Sequence, residues 1–308
     1  MSEKQPPRPT GRVAAALDRH LPVLMLLPAV LLVLGVLLYP LAWAIKLSVF
    51  QTSITNLDSQ TFVWFANYVA VLTDPLFGRV VRNTLVFVGG SVVGQVGIGL
   101  ALALLLDADW PGQRLTRLFR ATYVVPWATT GVVVAYSWQF VFAPRAGLVN
   151  TALRWLGVAQ PPAWLQSVEW AMAAVVVANV WRGVPFSLVI QTSGLQRVPA
   201  ALTEAARIGG ASRLQTVRHV TLPLVRPFVA MNLLLVLLFT LNVFDIVLVM
   251  TGGGPLESTQ VLALHMYETA FQLGRFGRAA ALAVVLFALN LLLVTGYVLT
   301  FGVGRGEP

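Results

Sequence analysis

Apolar residues run along this chain in long blocks, separated by short polar and basic stretches. Six blocks are long enough to cross a hydrocarbon core that needs roughly 20 residues. They lie near Leu21–Leu47, Asn83–Leu106, Leu118–Phe142, Val168–Gly194, Phe228–Met250 and Arg278–Phe301. The pattern predicts an all-α, polytopic membrane protein with six transmembrane helices. Gly and Pro within the blocks (Pro28, Pro40, Gly89, Gly90, Pro126, Pro185) do not oppose this, because membrane helices tolerate both. The spans divide the chain into an N-terminal segment 1–20, a membrane domain 21–302 carrying a polar loop at 195–227, and a tail 303–308.

Composition agrees. The chain is 57% hydrophobic and 11% charged, whereas soluble domains carry about 25% charged residues. The net charge of +9 does not point to nucleic acid, since the basic residues are scattered over short loops and form no stripe. Their distribution instead sets orientation. With the N-terminus inside, thirteen of the 21 Lys and Arg residues fall in cytoplasmic segments and seven outside. The positive-inside bias therefore predicts cytoplasmic N and C termini. The apolar block after the basic N-terminus is too long for a signal peptide.

Several chemistries are excluded. There is no Cys, and His20, His219 and His265 lie in three separate segments without metal-ligand spacing, so no metal site is expected. The only lysines, Lys4 and Lys46, follow no Gly-rich turn, so the chain carries no P-loop. The Thr251–Pro255 turn lacks such a Lys as well, and is read as an outside hinge or docking point. The outside segments near 50–82, 144–166 and 251–277 hold aromatics that serve as interfacial anchors or as a docking surface.

The loop between the fourth and fifth blocks is the most informative. Ala200 to Arg207 are mostly strong helix formers, with Pro199 suited to the first helical position. Gly209-Gly210 should stop that helix. Ser212 and Gln215 should open a second one with a capping box, and Pro223 and Pro227 should end it. Glu204 offers one exposed carboxylate beside the small Ala205 and Ala206, with Arg207 close by.

Polar residues inside the blocks are the other signal, since a charge at the bilayer centre costs roughly 2.5–3.5 kcal/mol. Asn179 and Arg182 share a helix face, as do Asn242 and Asp245. These groups either line a polar path or bond helix to helix, an Arg182–Asp245 pair included. Trp181, Phe186 and Phe244 are near enough in sequence to present ring faces to such a path.

These residues carry a resemblance. Glu204-Ala205-Ala206, Gly210-Ala211 and Leu222-Pro223 with Pro227 match the EAA motif, and Phe244-Asp245, Leu248–Pro255, Ala66-Asn67-Tyr68, Asn83-Thr84-Leu85 and Trp181–Phe186 match elsewhere. The chain resembles the permease subunits of carbohydrate ATP-binding-cassette (ABC) importers of the maltose and glycerol-3-phosphate type, from Leu27 onward. One departure is Gly209, where the family usually has Asp.

The resemblance implies the type I permease fold and a coupling contact through Glu204, Ala205, Ala206, Gly210 and Arg207. It also implies a second, homologous permease, two ATPase subunits that bind ATP and Mg, an extracytoplasmic solute-binding protein, and a sugar-type solute. The chain itself would hold no cofactor and be non-catalytic, in a bacterial or archaeal cell membrane among lipid. An ion-gradient-driven carrier is the alternative, but it needs buried carboxylates and only Asp245 qualifies. A membrane receptor or scaffold would leave the EAA spacing unexplained.

Overall fold

The computed structural model describes Leu21 and residues 25–54, 61–107 and 125–301. The expected N-terminal segment 1–20, the tail 303–308 and the first part of the third span lie outside the described residues. Among the described residues the fold is all-α apart from one antiparallel pair of two-residue strands, β1 (Phe50–Gln51) and β2 (Thr61–Phe62). Among the described residues, five helices are long and apolar enough to cross a membrane: α1 (Met25–Ser48), α3 (Phe77–Asp107), α7 (Ala171–Leu195), α9 (Arg213–Leu241) and α12 (Phe276–Phe301). At the place of the expected third span stand α4 (Val125–Ala128) and the apolar α5 (Gly131–Val141).

The central contact is α3 against α7. It forms because the facing side chains are small. A Cβ added to Gly94 would lie 2.6 Å from Val180, and one at Gly99 equally near Ser187. Close backbone approach of this kind drives helix association in lipid, where tails compete equally well for apolar surface. Gly90 and Gly94 form the G-x-x-x-G seam, of which sequence reading noted only Gly90, as compatible with a span.

The expected fifth span, Phe228–Met250, is not one helix. It divides at Asn242–Phe244 into α9 and the short α10 (Asp245–Met250). Nor do Pro223 and Pro227 end the loop's second helix, which runs on from Arg213 to Leu241. A π turn at Val217–Thr221 directly precedes Pro223, with the Leu222 N–H bonded to the Val217 carbonyl. Widening the helix there accommodates a ring that would otherwise crowd the preceding turn. The same arrangement, Leu34–Leu38 before Pro40, occurs in α1.

On the expected outer side, α2 (Ala66–Leu72), α6 (Leu148–Trp155) and α11 (Leu262–Phe271) cover the helix ends. The motif residues prove to be fasteners. Asn67 Nδ2 donates to the carbonyls of Ser48 and Phe50, both at 2.9 Å. Asn83 Nδ2 donates to the Glu257 carbonyl at 2.8 Å, and Arg79 pairs with the Glu257 carboxylate at 2.6 Å. The Gly-rich turn is thus tied to the start of α3. Thr251 and Thr259 share a hydrogen bond across it, and Thr259 Oγ1 also donates to the Gly254 carbonyl. The outer aromatics divide by role: Trp164 is partly buried and donates to Asn150 Oδ1 at 2.7 Å, while Trp155 is exposed.

Candidate translocation cavity and coupling loop

A cavity of about 530 Å³ opens where α7 faces the break between α9 and α10. Its position follows from backbone chemistry. Non-helical backbone at membrane depth survives only where it is buried in protein or lines a cavity, and Asn242, Val243 and Phe244 line this one. Asn179 and Arg182 meet them from the middle of α7, as their three-residue spacing requires, and Asp245 enters from the first turn of α10.

Five of the six expected path residues therefore come together: Asn179, Arg182, Asn242, Phe244 and Asp245. Trp181 does not join them. Each helical step turns the side chain by about 100°, so Trp181 points away from its neighbour Arg182. It is 45% exposed and packs edge-on against Trp138, ring centres 6.0 Å apart.

The polar groups are incompletely partnered. Asn179 is 3% exposed, and its Nδ2 finds no acceptor among the described residues. Gln95 Nε2 from α3 donates to the Asn179 carbonyl at 3.3 Å. Asn242 Nδ2 donates to the Leu238 carbonyl at 2.7 Å and to Asn290 Oδ1 at 3.3 Å. Arg182 and Asp245 form no ion pair; among the described residues the one ion pair is Arg79–Glu257. Asp245 instead rests against the start of α5, its carboxylate filling the space a Cβ on Gly131 would take. An aromatic wall completes the lining: Trp127 is stacked on Phe186 at 5.9 Å, and Phe186 meets Phe239 edge-on at 5.4 Å.

The loop of the EAA motif forms α8 (Ala200–Ile208), with Pro199 at the N-cap, one position earlier than expected. Its end is a complete Schellman motif. The Ala211 N–H bonds to the Ala206 carbonyl and the Gly210 N–H to the Arg207 carbonyl, both at 3.0 Å, with Gly210 at φ +83°. The capping box is present as expected: Ser212 Oγ accepts from the Gln215 N–H, and Gln215 Oε1 accepts from the Ser212 N–H at 2.7 Å. Glu204, Ala205, Arg207 and Gly210 are exposed, and Ala206 is half-buried. Glu204 and Arg207 line a polar groove with Thr203, Arg213 and Thr216.

Residues 95–300 match the family described as binding-protein-dependent transport system inner membrane component. The chain belongs to this family. It is similar to the sulfoquinovosyl glycerol transport system permease protein SmoG of Agrobacterium fabrum, 34% identical over 96% of this chain and 95% of the relative. It is also similar to the trehalose/maltose transport system permease protein MalF of Thermococcus litoralis, 33% identical over 89% of this chain and 91% of the relative. A solved bacterial ABC transporter for alginate import has the same fold, with TM-score 0.79 and 24% identity over 93% of this chain and 97% of that one.

The protein is thus a multi-pass permease subunit of a binding-protein-dependent ABC importer, a non-catalytic role, and nothing in the comparisons favours a gradient-driven carrier. Sequence reading of this permease missed Gln95, Trp127 and Phe239 in the cavity. It also missed Ile208 and Leu214, which are 89% and 76% exposed beside the EAA loop. An amide in the middle of the apolar α3 was the available signal for Gln95. Two large apolar side chains flanking Gly209-Gly210 were the signal for the loop pair.

Proposed function

We propose that this permease forms, with a second homologous permease, the path for a sugar-type solute. Two separate ATPase subunits, which bind ATP and Mg, would drive it through α8, and an extracytoplasmic binding protein would deliver the solute. The observation that carries this reading is the cavity of about 530 Å³ between α7 and the α9–α10 break. α7 and α9 are also the two helices joined by the α8 loop. A movement of α8 at the ATPase surface is thereby transmitted to both walls of the cavity. Glu204, Ala205, Ala206, Arg207 and Gly210 form the ATPase contact, to which Ile208 and Leu214 add apolar surface.

Relatives named for trehalose/maltose and sulfoquinovosyl glycerol transport support a sugar as the solute. Amides and charged groups beside aromatic faces suit vicinal hydroxyls on a ring with an apolar face. Both termini lie in the cytoplasm of a bacterial or archaeal cell, consistent with the excess of Lys and Arg in the segments on that side. Rigid-body rocking around a midplane site gives alternating access.

The test is to purify the complex from its native membrane, reconstitute it with its binding protein, and measure ATPase rate against a panel of sugars and glycerol phosphates. Stimulation by one ligand is expected. A preparation with no copurifying ATPase activity overturns the reading.

A further inference from the structure

The third and fifth expected spans are both interrupted, and the two interruptions stand side by side. Between α4 and α5 the helix stops at Thr129–Thr130, where Thr130 takes an extended ψ of 147°. Between α9 and α10 it stops at Asn242–Phe244. The residues directly after the breaks, Gly131 and Asp245, touch: the carboxylate lies where a Cβ on Gly131 would be. Both interrupted segments also reach the cavity, one through Trp127 of α4 and the other through Asn242, Val243 and Phe244. The breaks therefore lie at one depth, along one edge of the cavity.

From that line outward, α5 and α10 are held together at both ends. Their starts meet at Gly131 and Asp245. Towards their far ends, Gln139 Nε2 donates to the Val249 carbonyl at 2.6 Å and to the Met250 carbonyl at 3.4 Å. Both carbonyls belong to the last turn of α10, where the helix supplies no partner of its own. Val134 and Ala135 of α5 are buried in the same apolar core as Ile246 and Val247 of α10. The wider packing divides in the same way: α10 lies chiefly against α5, whereas α9 lies chiefly against α3 and α7. Gln139 itself is not among the residues lining the cavity.

A helix resists bending because each turn is cross-linked to the next, so a change of angle concentrates where those bonds are missing. Hinges are a few residues at the ends of elements that absorb the change in φ and ψ. Resting on the importer reading above, we propose that α5 and α10 form one rigid outer unit, and that the two breaks flex together as its hinge when α8 moves α9. Gln139 is the positioning residue. By holding the far end of α10 to α5, it keeps Asp245 from following α9. One wall of the cavity then shifts against the other, and the space around the solute changes shape. Without that bond α10 is freer to follow α9, and ATP hydrolysis no longer separates the walls.

The test uses the complete importer in proteoliposomes, with its partner permease, ATPase subunits and binding protein, the other subunits freed of reactive cysteines. This chain has no Cys, so spin labels can be placed on it by cysteine substitution. Tyr136→Cys with Leu248→Cys spans the joint between α5 and α10, and Leu233→Cys with Leu248→Cys spans the break between α9 and α10. Distances are measured without nucleotide and with ATP trapped by vanadate. The first distance should stay constant while the second changes by several ångström. A change in the first as large as in the second, or no change in the second, overturns the proposal. Where a label at Leu248 prevents assembly, Tyr136→Cys with Leu233→Cys reads the same break from α5, both positions being exposed, and must show the change.

Gln139→Met keeps the length of the side chain and removes the donor. In a complex that copurifies its ATPase subunits at normal yield, solute taken up per ATP hydrolysed should fall about ten-fold, the scale of one lost hydrogen bond. A purely structural role would lower uptake and hydrolysis in parallel. An unchanged ratio therefore removes Gln139 from the mechanism and leaves the importer standing. Failure of the unsubstituted complex to take up any solute at the expense of ATP overturns both readings.

Discussion

Gly131 and Asp245 interlock: the Asp245 carboxylate occupies the space where any side chain at position 131 would begin. The contact joins the start of α5 to the start of α10, on one side of the cavity. Gly131→Ala should therefore push the carboxylate aside or separate the two helices. Overpacking of a fitted site costs about 1–3 kcal/mol. Thermal unfolding of the purified complex should show the loss, and Asp245→Ala should relieve it in the double variant. Equal unfolding temperatures for Gly131→Ala and the parent would show the contact to be loose.

The helix cap of the EAA loop separates two adjacent glycines by role. Gly210 sits at φ +83°, where a side chain costs roughly 1–2 kcal/mol, whereas Gly209 has an ordinary φ of −68°. Gly210→Ala should weaken the Schellman cap and reduce ATPase association. Gly209→Ala should stay within about 0.5 kcal/mol of the parent. Copurification of the ATPase subunits with each variant makes the comparison. Equal behaviour of the two would mean that the cap does not matter to docking.

The loop and the spans were legible in the sequence to different depths. Hydrophobic block length was enough for the first, second, fourth and sixth spans, because the bilayer sets one length for all of them. The Ser212–Gln215 capping box was readable because it is local, spanning four residues. The break at Asn242–Phe244 was hidden, since apolar residues continue on both sides and only the cavity explains it. Pro223 and Pro227 misled for a related reason: a π turn one step upstream absorbs the misfit. Trp181 falls outside the cavity because neighbours in a helix face different ways. The Gly90–Gly94 seam was invisible until α7 was seen to lie against it.

Glu204 is exposed and forms no ion pair within the described residues, so it contributes little to the fold of α8. Glu204→Lys should leave the permease folded and inserted, yet uncouple or dissociate the ATPase. Uptake and ATPase copurification should both fall while the unfolding temperature is unchanged. Normal uptake with a normal ATPase yield would remove Glu204 from the contact.

Thr84 Oγ1 accepts the Leu262 N–H at 2.8 Å, holding the start of α11 to α3 inside the protein. Thr84→Val keeps the shape and removes the acceptor. A buried N–H left without a partner costs about 1–3 kcal/mol. The expected signature is a lower unfolding temperature, together with faster amide exchange at Leu262. Protection at that amide equal to the parent's would indicate another acceptor.

His265, on α11, has its pKa lowered by burial, with Asp74 and Glu268 opposing that shift. The folded protein thus favours the neutral ring more than the unfolded chain does. The unfolded state binds the extra proton as pH falls below the ordinary value of 6.5, so stability is complete above that value and declines beneath it. His265→Gln keeps a hydrogen-bonding side chain without this titration. Unfolding temperatures measured from pH 7.5 down to about 5 should therefore fall more steeply for the parent than for His265→Gln. Identical slopes would show that another group governs the acid response of this face.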